Sequence, residues 1–199
     1  NKVNPVICEI GAGWGGFTHC LFQTINNPKF VIADLPETLI FSYLYLSELY
    51  PNKKVKLHTY EADSINECDF LLIPSNNFTE LNDHIDLTVN LCSFQEMTSP
   101  QVEEYIKKVS SLKSEYIYSL NRDLNNNNHL LKRSVSEMIS DFYEINFIKL
   151  LNISYTDINS LNNNKNLRKK IKQSLKKILK GTAEKNNFAY QHISGKINT

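Results

Sequence analysis

Apolar positions along this chain follow two rhythms. Short continuous runs alternate with longer stretches in which apolar residues recur every three or four positions, the periods of buried strands and of helices. Residues 6–10 form the first run, and Phe17, Leu21 and Ile25 carry the first helical spacing. Residues 29–34 read as a second buried strand. The stretch 37–50 is apolar nearly all round, with Leu39, Ile40, Tyr43, Leu44, Leu46 and Tyr50, which predicts a well-buried helix. Residues 55–60 alternate like a half-exposed strand, whereas 70–73 are continuously apolar. The third sheet strand is therefore placed at 69–73, with Pro74, Ser75 and Asn76 at its carboxyl end; the alternative puts Tyr60 and Glu61 there. A fourth strand covers 85–91. Ser99-Pro100 then opens a helix with the stripe Val102, Tyr105, Ile106, Val109 and Leu112. A fifth strand covers 116–120. Leu131, Val135, Met138 and Ile139 predict one more helix, and runs near 145–150 and 188–194 complete the pattern. Strands alternating with helices argue for a parallel α/β sheet.

Between the first strand and the first helix stand four glycines, Gly11, Gly13, Gly15 and Gly16. A strand, a tight loop and a helix start aim backbone N–H groups and a positive helix end at a ligand. Gly11, Gly13 and Gly16 fit the G-x-G-x-x-G spacing of a dinucleotide site, and Asp34 lies about where its ribose-binding acid belongs. The plainer role for Asp34 is to cap the helix opened by Leu35-Pro36-Glu37. Glu9 discriminates between ligands. A buried carboxylate at a strand end is costly unless it meets a cation or several donors. The amino group of a methionine moiety is such a partner, while a pyrophosphate is repelled. Glu9, Gly11, Gly13 and Gly15 together resemble the acid-x-Gly-x-Gly-x-Gly motif of the Rossmann-like S-adenosylmethionine-dependent methyltransferases.

Further segments narrow the resemblance. Glu9 to Gly13, Ala33-Asp34-Leu35-Pro36, Leu72-Ile73-Pro74, Asn90-Leu91-x-Ser93-Phe94-x-Glu96-Met97 and Tyr118-x-x-Asn121-Arg122 are similar to the sugar O-methyltransferases of bacterial polysaccharide clusters, with an echo at 190–194. The likeness implies a seven-stranded sheet whose last strand, 188–194, is antiparallel. It implies S-adenosylmethionine as donor and S-adenosylhomocysteine as product. Glu9, Gly11, Ala12, Gly13, Trp14, Gly15, Asp34, Leu35, Ser75, Asn76, Asn90 and Leu91 are the expected donor contacts. The acceptor is expected to be a sugar hydroxyl of a surface polysaccharide or of its nucleotide- or lipid-linked precursor. Such a hydroxyl is a poor nucleophile and benefits from a general base. Glu96, just beyond the fourth strand, is the first choice, followed by His129 and His192. No metal is expected, since Asn90, Asn121 and Asp123 make a poor Mg²⁺ set. A nicotinamide-dependent oxidoreductase, a methyltransferase for a non-sugar molecule and a non-enzymatic binding protein are the competing classes.

Size and charge add three points. A chain of 199 residues fits one domain, read here as 1–199 with a basic helical insertion at about 161–181. It starts at Asn1 and enters a strand almost at once, so an N-terminal part is expected to be missing. Residues 161–180 carry eight Lys or Arg and no acid, which leaves −7 on the rest of a chain whose total is +1. Leu167, Ile171, Leu175, Ile178 and Leu179 give 166–180 one apolar helical face. That helix could attract an anionic acceptor or touch a membrane surface. Nucleic acid is not expected, because the basic charge is confined to one segment of an acidic body. No apolar run reaches the length of a membrane span. Cys8, Cys20, Cys68 and Cys92 show no metal or disulfide spacing, which predicts a reduced, cytoplasmic protein. Cys8 and Cys92 fall in predicted strands, where a thiol acts as a small hydrophobe.

Overall fold

The structure, a computed structural model, describes residues 2–59, 63–124, 127–150 and 190–198. The basic stretch 161–181 and the alternative ligand contacts Tyr60 and Glu61 lie outside the described residues. The described strands form one sheet in the order β3-β4-β2-β1-β5-β6-β8-β7. They are β1 (Val6–Ile10), β2 (Lys29–Asp34), β3 (Val55–Leu57), β4 (Phe70–Pro74), β5 (Leu87–Leu91), β6 (Tyr116–Arg122), β7 (Tyr143–Leu150) and β8 (Tyr190–Ile197). Strands β1 to β6 pair in parallel. β8 runs antiparallel to both β6 and β7.

The expected seven strands are eight. The extra one is β3, three residues long, which adds to the outer edge of β4. Asp69 anchors it there, accepting from the Lys54 amide at 2.9 Å while its own amide donates to the Lys54 carbonyl. The strand beside β2 is β4, in register from Phe30↔Phe70 to Asp34↔Pro74. Ser75 and Asn76 thus stand next to Asp34 at the carboxyl end of the sheet, where α/β sheets take their ligands.

Each face of the sheet is covered for its own reason. Helices α1 (Gly16–Thr24) and α2 (Pro36–Leu49) pack through Phe17, Leu21, Leu39 and Leu46 on Ile7, Phe30, Ile32, Phe70 and Leu72. Helices α3 (Ser99–Ser111) and α4 (Val135–Ser140) pack through Val102, Ile106, Val109, Met138 and Ile139 on Cys8, Ile10, Ile117 and Ile193. Both of these have a capping box, Thr98 with Gln101 and Ser134 with Glu137, which fixes their starts. The alternation along each strand does the sorting, since odd and even residues project to opposite faces.

Helix α2 departs from expectation. It is not well buried: Leu39, Ser42 and Leu46 face the sheet, while Ile40, Phe41 and Leu44 are 58%, 64% and 60% exposed. A helix lying on one sheet buries a single stripe, and no described element covers its back. Cys92 also departs. It lies one residue past β5, exposed and with φ 63°, so it is no core hydrophobe.

Candidate donor and acceptor site

The glycine loop is held on three sides. The Gly11 amide donates to the Ala33 carbonyl of β2 at 2.7 Å, and the Ser42 hydroxyl of α2 donates to the Gly13 carbonyl at 2.6 Å. On the third side Gly11, at φ +72°, presses against Ser93. A Cβ there would fall 2.1 Å from Ser93 Oγ. Gly13, at φ +61°, is the opposite case, because a Cβ built on it meets nothing within 4 Å. The loop is therefore packed behind and bare in front, the arrangement that lets a ligand approach backbone. Trp14 lies over Gly16 and meets Tyr45 edge-on at 4.8 Å, with 59% of its surface exposed.

Beneath this loop lies Glu9, only 2% exposed and on the α1 side of the sheet. Burial pushes its carboxyl up to about 7, against the hydroxyl of Thr18, which donates to it, and with the nearby charge of Asp34 adding to the rise. A carboxyl in that state gains from any cation brought alongside. Asp34 closes β2. Its Oδ2 accepts from the Gly13 amide at 2.8 Å and its Oδ1 from the Leu35 amide at 2.7 Å. Each oxygen keeps a further lone pair for an incoming hydroxyl. Asp34 thus ties the loop to the end of β2, but it stands one residue ahead of the N-cap Leu35 and gives α2 no side-chain cap, so the expected capping role is not what it does. Leu35 itself is 58% exposed beside them.

Ser75 and Asn76 line a cleft of about 320 Å³ whose far wall is α3, with Gln101, Glu104 and Tyr105. Tyr105 hydrogen-bonds Ser75, and its hydroxyl is pushed up to about 12 by burial, with Asp34 contributing. Past Asn76 a second cleft of about 360 Å³ is lined by Pro36, His58, Thr59, Pro74 and Asn77. In the sequence Tyr105 reads as part of a core stripe, and Gln101 carries no mark of a site. Neither position carries a signal that separates a helix face on the core from one on a cleft.

Asn90 and Leu91 end β5, but Asn90 is fully buried behind the loop. Its Nδ2 donates to the Ile10 carbonyl at 2.9 Å and to Ser93 Oγ at 2.5 Å. Its Oδ1 accepts from the Phe94 amide at 3.2 Å and from Asn121 Nδ2 at 2.7 Å. The amide is spent on backing Ser93 against Gly11, and its contribution to the site runs through that contact. Asn90→Ala should cost about 2–3 kcal/mol in denaturant unfolding, because several buried polar groups lose their partner together. Asp123 is likewise committed to protein, accepting from the amide and hydroxyl of Ser136 at 2.7 and 2.8 Å.

The three candidate bases are placed apart. Glu96 ends the turn Phe94–Glu96 and is exposed. His129 is exposed in the loop after β6. His192 is half-buried on β8, with its Nδ1 2.5 Å from the Tyr118 hydroxyl. No hydrogen bond joins the three. Arg122, at the end of β6, lies over the Tyr190 ring at 5.0 Å, and its charge and that of Glu96 both reach Cys92.

No family model and no curated protein sequence matches the chain. Solved structures do. A pyocyanin biosynthetic protein superposes with a TM-score of 0.58 at 10% identity, covering 98% of this chain and 51% of that one. The magnesium protoporphyrin IX methyltransferase of Synechocystis, with S-adenosylmethionine bound, gives 0.58 at 9% identity over 98% of this chain and 71% of that one. The geranyl diphosphate C-methyltransferase of Streptomyces coelicolor, in complex with Mg²⁺, geranyl diphosphate and S-adenosylhomocysteine, gives 0.61 at 11% identity over 100% and 75%. The chain has the fold of the S-adenosylmethionine-dependent methyltransferases. It spans about half the length of the first of these neighbours. The methyltransferase fold accounts for β8, whose antiparallel insertion between β6 and β7 the all-parallel dinucleotide-binding order lacks. The neighbours are named for a pyocyanin pathway, a porphyrin and an isoprenoid diphosphate, so the fold leaves the acceptor open. Among the described residues no helix is long and apolar enough to cross a membrane.

Proposed function

We propose that the chain binds S-adenosylmethionine at the carboxyl ends of β1, β2 and β4 and transfers its methyl group to a hydroxyl. The observation that carries this reading is Glu9, a buried carboxyl under a glycine loop that is open at Gly13. Bound there, S-adenosylmethionine supplies an electrophilic methyl on a sulfonium. The residues of the chain bind and align. Glu9 takes the ammonium of the methionine part, and the free lone pairs of Asp34 take the ribose hydroxyls. Ser75, Asn76 and Tyr105 offer their cleft to the base. Alignment of this kind lowers the barrier by ~7–11 kcal/mol at best. The sugar hydroxyl of a polysaccharide or of its precursor is the acceptor that the likeness at 90–97 and 118–122 supports.

Calorimetric titration tests the donor reading. S-adenosylmethionine and S-adenosylhomocysteine should bind and NAD should not. Asp34→Ala removes a charged acceptor and should weaken both by about 1.5–3 kcal/mol. Unchanged affinity in that variant, or preference for NAD, would refute the assignment. Trp14 is exposed beside the loop, so its fluorescence should change during the same titration.

A further inference from the structure

The donor reading leaves one group of chemically capable side chains without a task. Alternation along β6 puts Tyr118, Leu120 and Arg122 on one face, half-buried, and Ile117, Ser119 and Asn121 on the buried face. The register then places that half-buried face relative to Glu9. Glu9 pairs with Val89 and Val89 with Tyr118, so Tyr118 stands on the Glu9 side of the sheet, two strands away. Two strand spacings make about 10 Å between backbones. On β8, His192 pairs with Leu120 and Tyr190 with Arg122, each a step nearer the carboxyl end.

Two features of this patch call for a ligand. The Arg122 guanidinium lies over the Tyr190 ring, and it is in none of the ion pairs among the described residues. A half-buried arginine with no carboxylate partner among the described residues, in a chain that carries −7 outside residues 161–180, is poised for an anion from outside. The second feature is the 2.5 Å contact between the Tyr118 hydroxyl and His192 Nδ1. It fixes the imidazole in orientation and leaves Nε2 for another partner. Burial pushes the Tyr118 hydroxyl up, so the phenol stays protonated at neutral pH.

We propose that this patch is the acceptor subsite: Arg122 binds an anionic group on the acceptor, a carboxylate or a phosphate, and His192, positioned by Tyr118, receives the proton of the methylated hydroxyl. The proposal rests on the donor reading above. His192 Nε2 takes the hydroxyl proton while the oxygen bonds to the methyl carbon. The carbon–sulfur bond breaks with its electron pair left on sulfur. The step needs Nδ1 to carry the proton in the resting state and donate to the Tyr118 oxygen. Glu96, exposed on its turn, has no comparable neighbour to orient it among the described residues.

The test uses the full chain saturated with S-adenosylhomocysteine, titrated with glucuronate, glucose 1-phosphate and glucose while the histidine side-chain resonances are followed by NMR. At least one of the two anions should bind about tenfold or more tighter than glucose and shift His192. Which anion does so distinguishes a carboxylate acceptor from a phosphate-linked one. Arg122→Gln should abolish the preference and leave S-adenosylhomocysteine affinity unchanged. The resting His192 should show Nδ1 protonated, and Tyr118→Phe should move it toward the other tautomer. Equal binding of the three probes, binding of none, a preference that survives Arg122→Gln, or a tautomer indifferent to Tyr118→Phe overturns the proposal. Failure of S-adenosylhomocysteine to bind at all would instead overturn the donor reading.

Discussion

Glu9→Gln is expected to stabilise the donor-free protein at pH 8 by about 3 kcal/mol and to abolish its binding of S-adenosylmethionine. The stability effect follows from burial. The carboxyl of Glu9 rises from 4.5 in the unfolded chain to about 7 in the folded one. Between those values the folded state holds a proton that the unfolded state has released, so stability falls as pH rises. This group's contribution is complete below about pH 4.5, declines through neutrality and is gone above pH 7. Glutamine resembles the protonated form at every pH. The variant and the wild type should therefore unfold alike at pH 4.5 and diverge by pH 8. Urea titrations at the two pH values measure the difference. The binding effect has the opposite sign because the amide cannot offset an ammonium. A residue that costs stability in the empty protein and is needed only with a cation present is a binding residue. Equal destabilisation at both pH values would mark Glu9 as a structural hydrogen-bond partner of Thr18 and nothing more.

The second large effect separates two glycines that look alike in sequence. Gly11→Ala should destabilise the fold by about 3–5 kcal/mol, since the methyl meets Ser93 at 2.1 Å and the backbone sits at φ +72°. Ser93 has little room to retreat, because Asn90 holds its hydroxyl from behind. Gly13→Ala meets open space and should cost only about 1–2 kcal/mol for its left-handed backbone. Its methyl instead fills the side a ligand would use, and donor affinity should fall about tenfold or more. Thermal unfolding and donor titration of the pair should show crossed effects. If both variants lose stability equally and bind equally, the open face at Gly13 is not the donor face.

Much of this arrangement was legible because it is local. Residues 29–34 were placed to the residue, and the order of run, glycines, helical spacing and acid located β1, α1, β2 and Asp34 together. The capping boxes Thr98–Gln101 and Ser134–Glu137 are just as local, yet they come from the structure: the sequence reading opens the first of these helices at Ser99 and marks no cap for the second. What escaped was long-range. An apolar helix reads the same whether its back is covered or bare, so the sequence of α2 predicts a burial that the structure does not show. Both 55–60 and 69–73 read as strands, and nothing local says that the sheet has room for both, as it does with β3 on the edge of β4. The amide of Asn90 looks like a ligand contact at a strand end until Ile10, Ser93, Phe94 and Asn121 are seen to use it up. Tyr118 and His192 lie 74 residues apart, and only the pairing of β6 with β8 brings them together.

The most direct measurement is a calorimetric titration with S-adenosylmethionine at pH 6, repeated in two buffers of different ionisation heat. At that pH most Glu9 side chains in the empty protein carry a proton, and pairing with the donor's ammonium must remove it. Binding should release close to one proton per site, and Glu9→Gln should eliminate both the binding and the release. Failure of S-adenosylmethionine to bind, or binding with no proton release and no dependence on Glu9, would contradict the account.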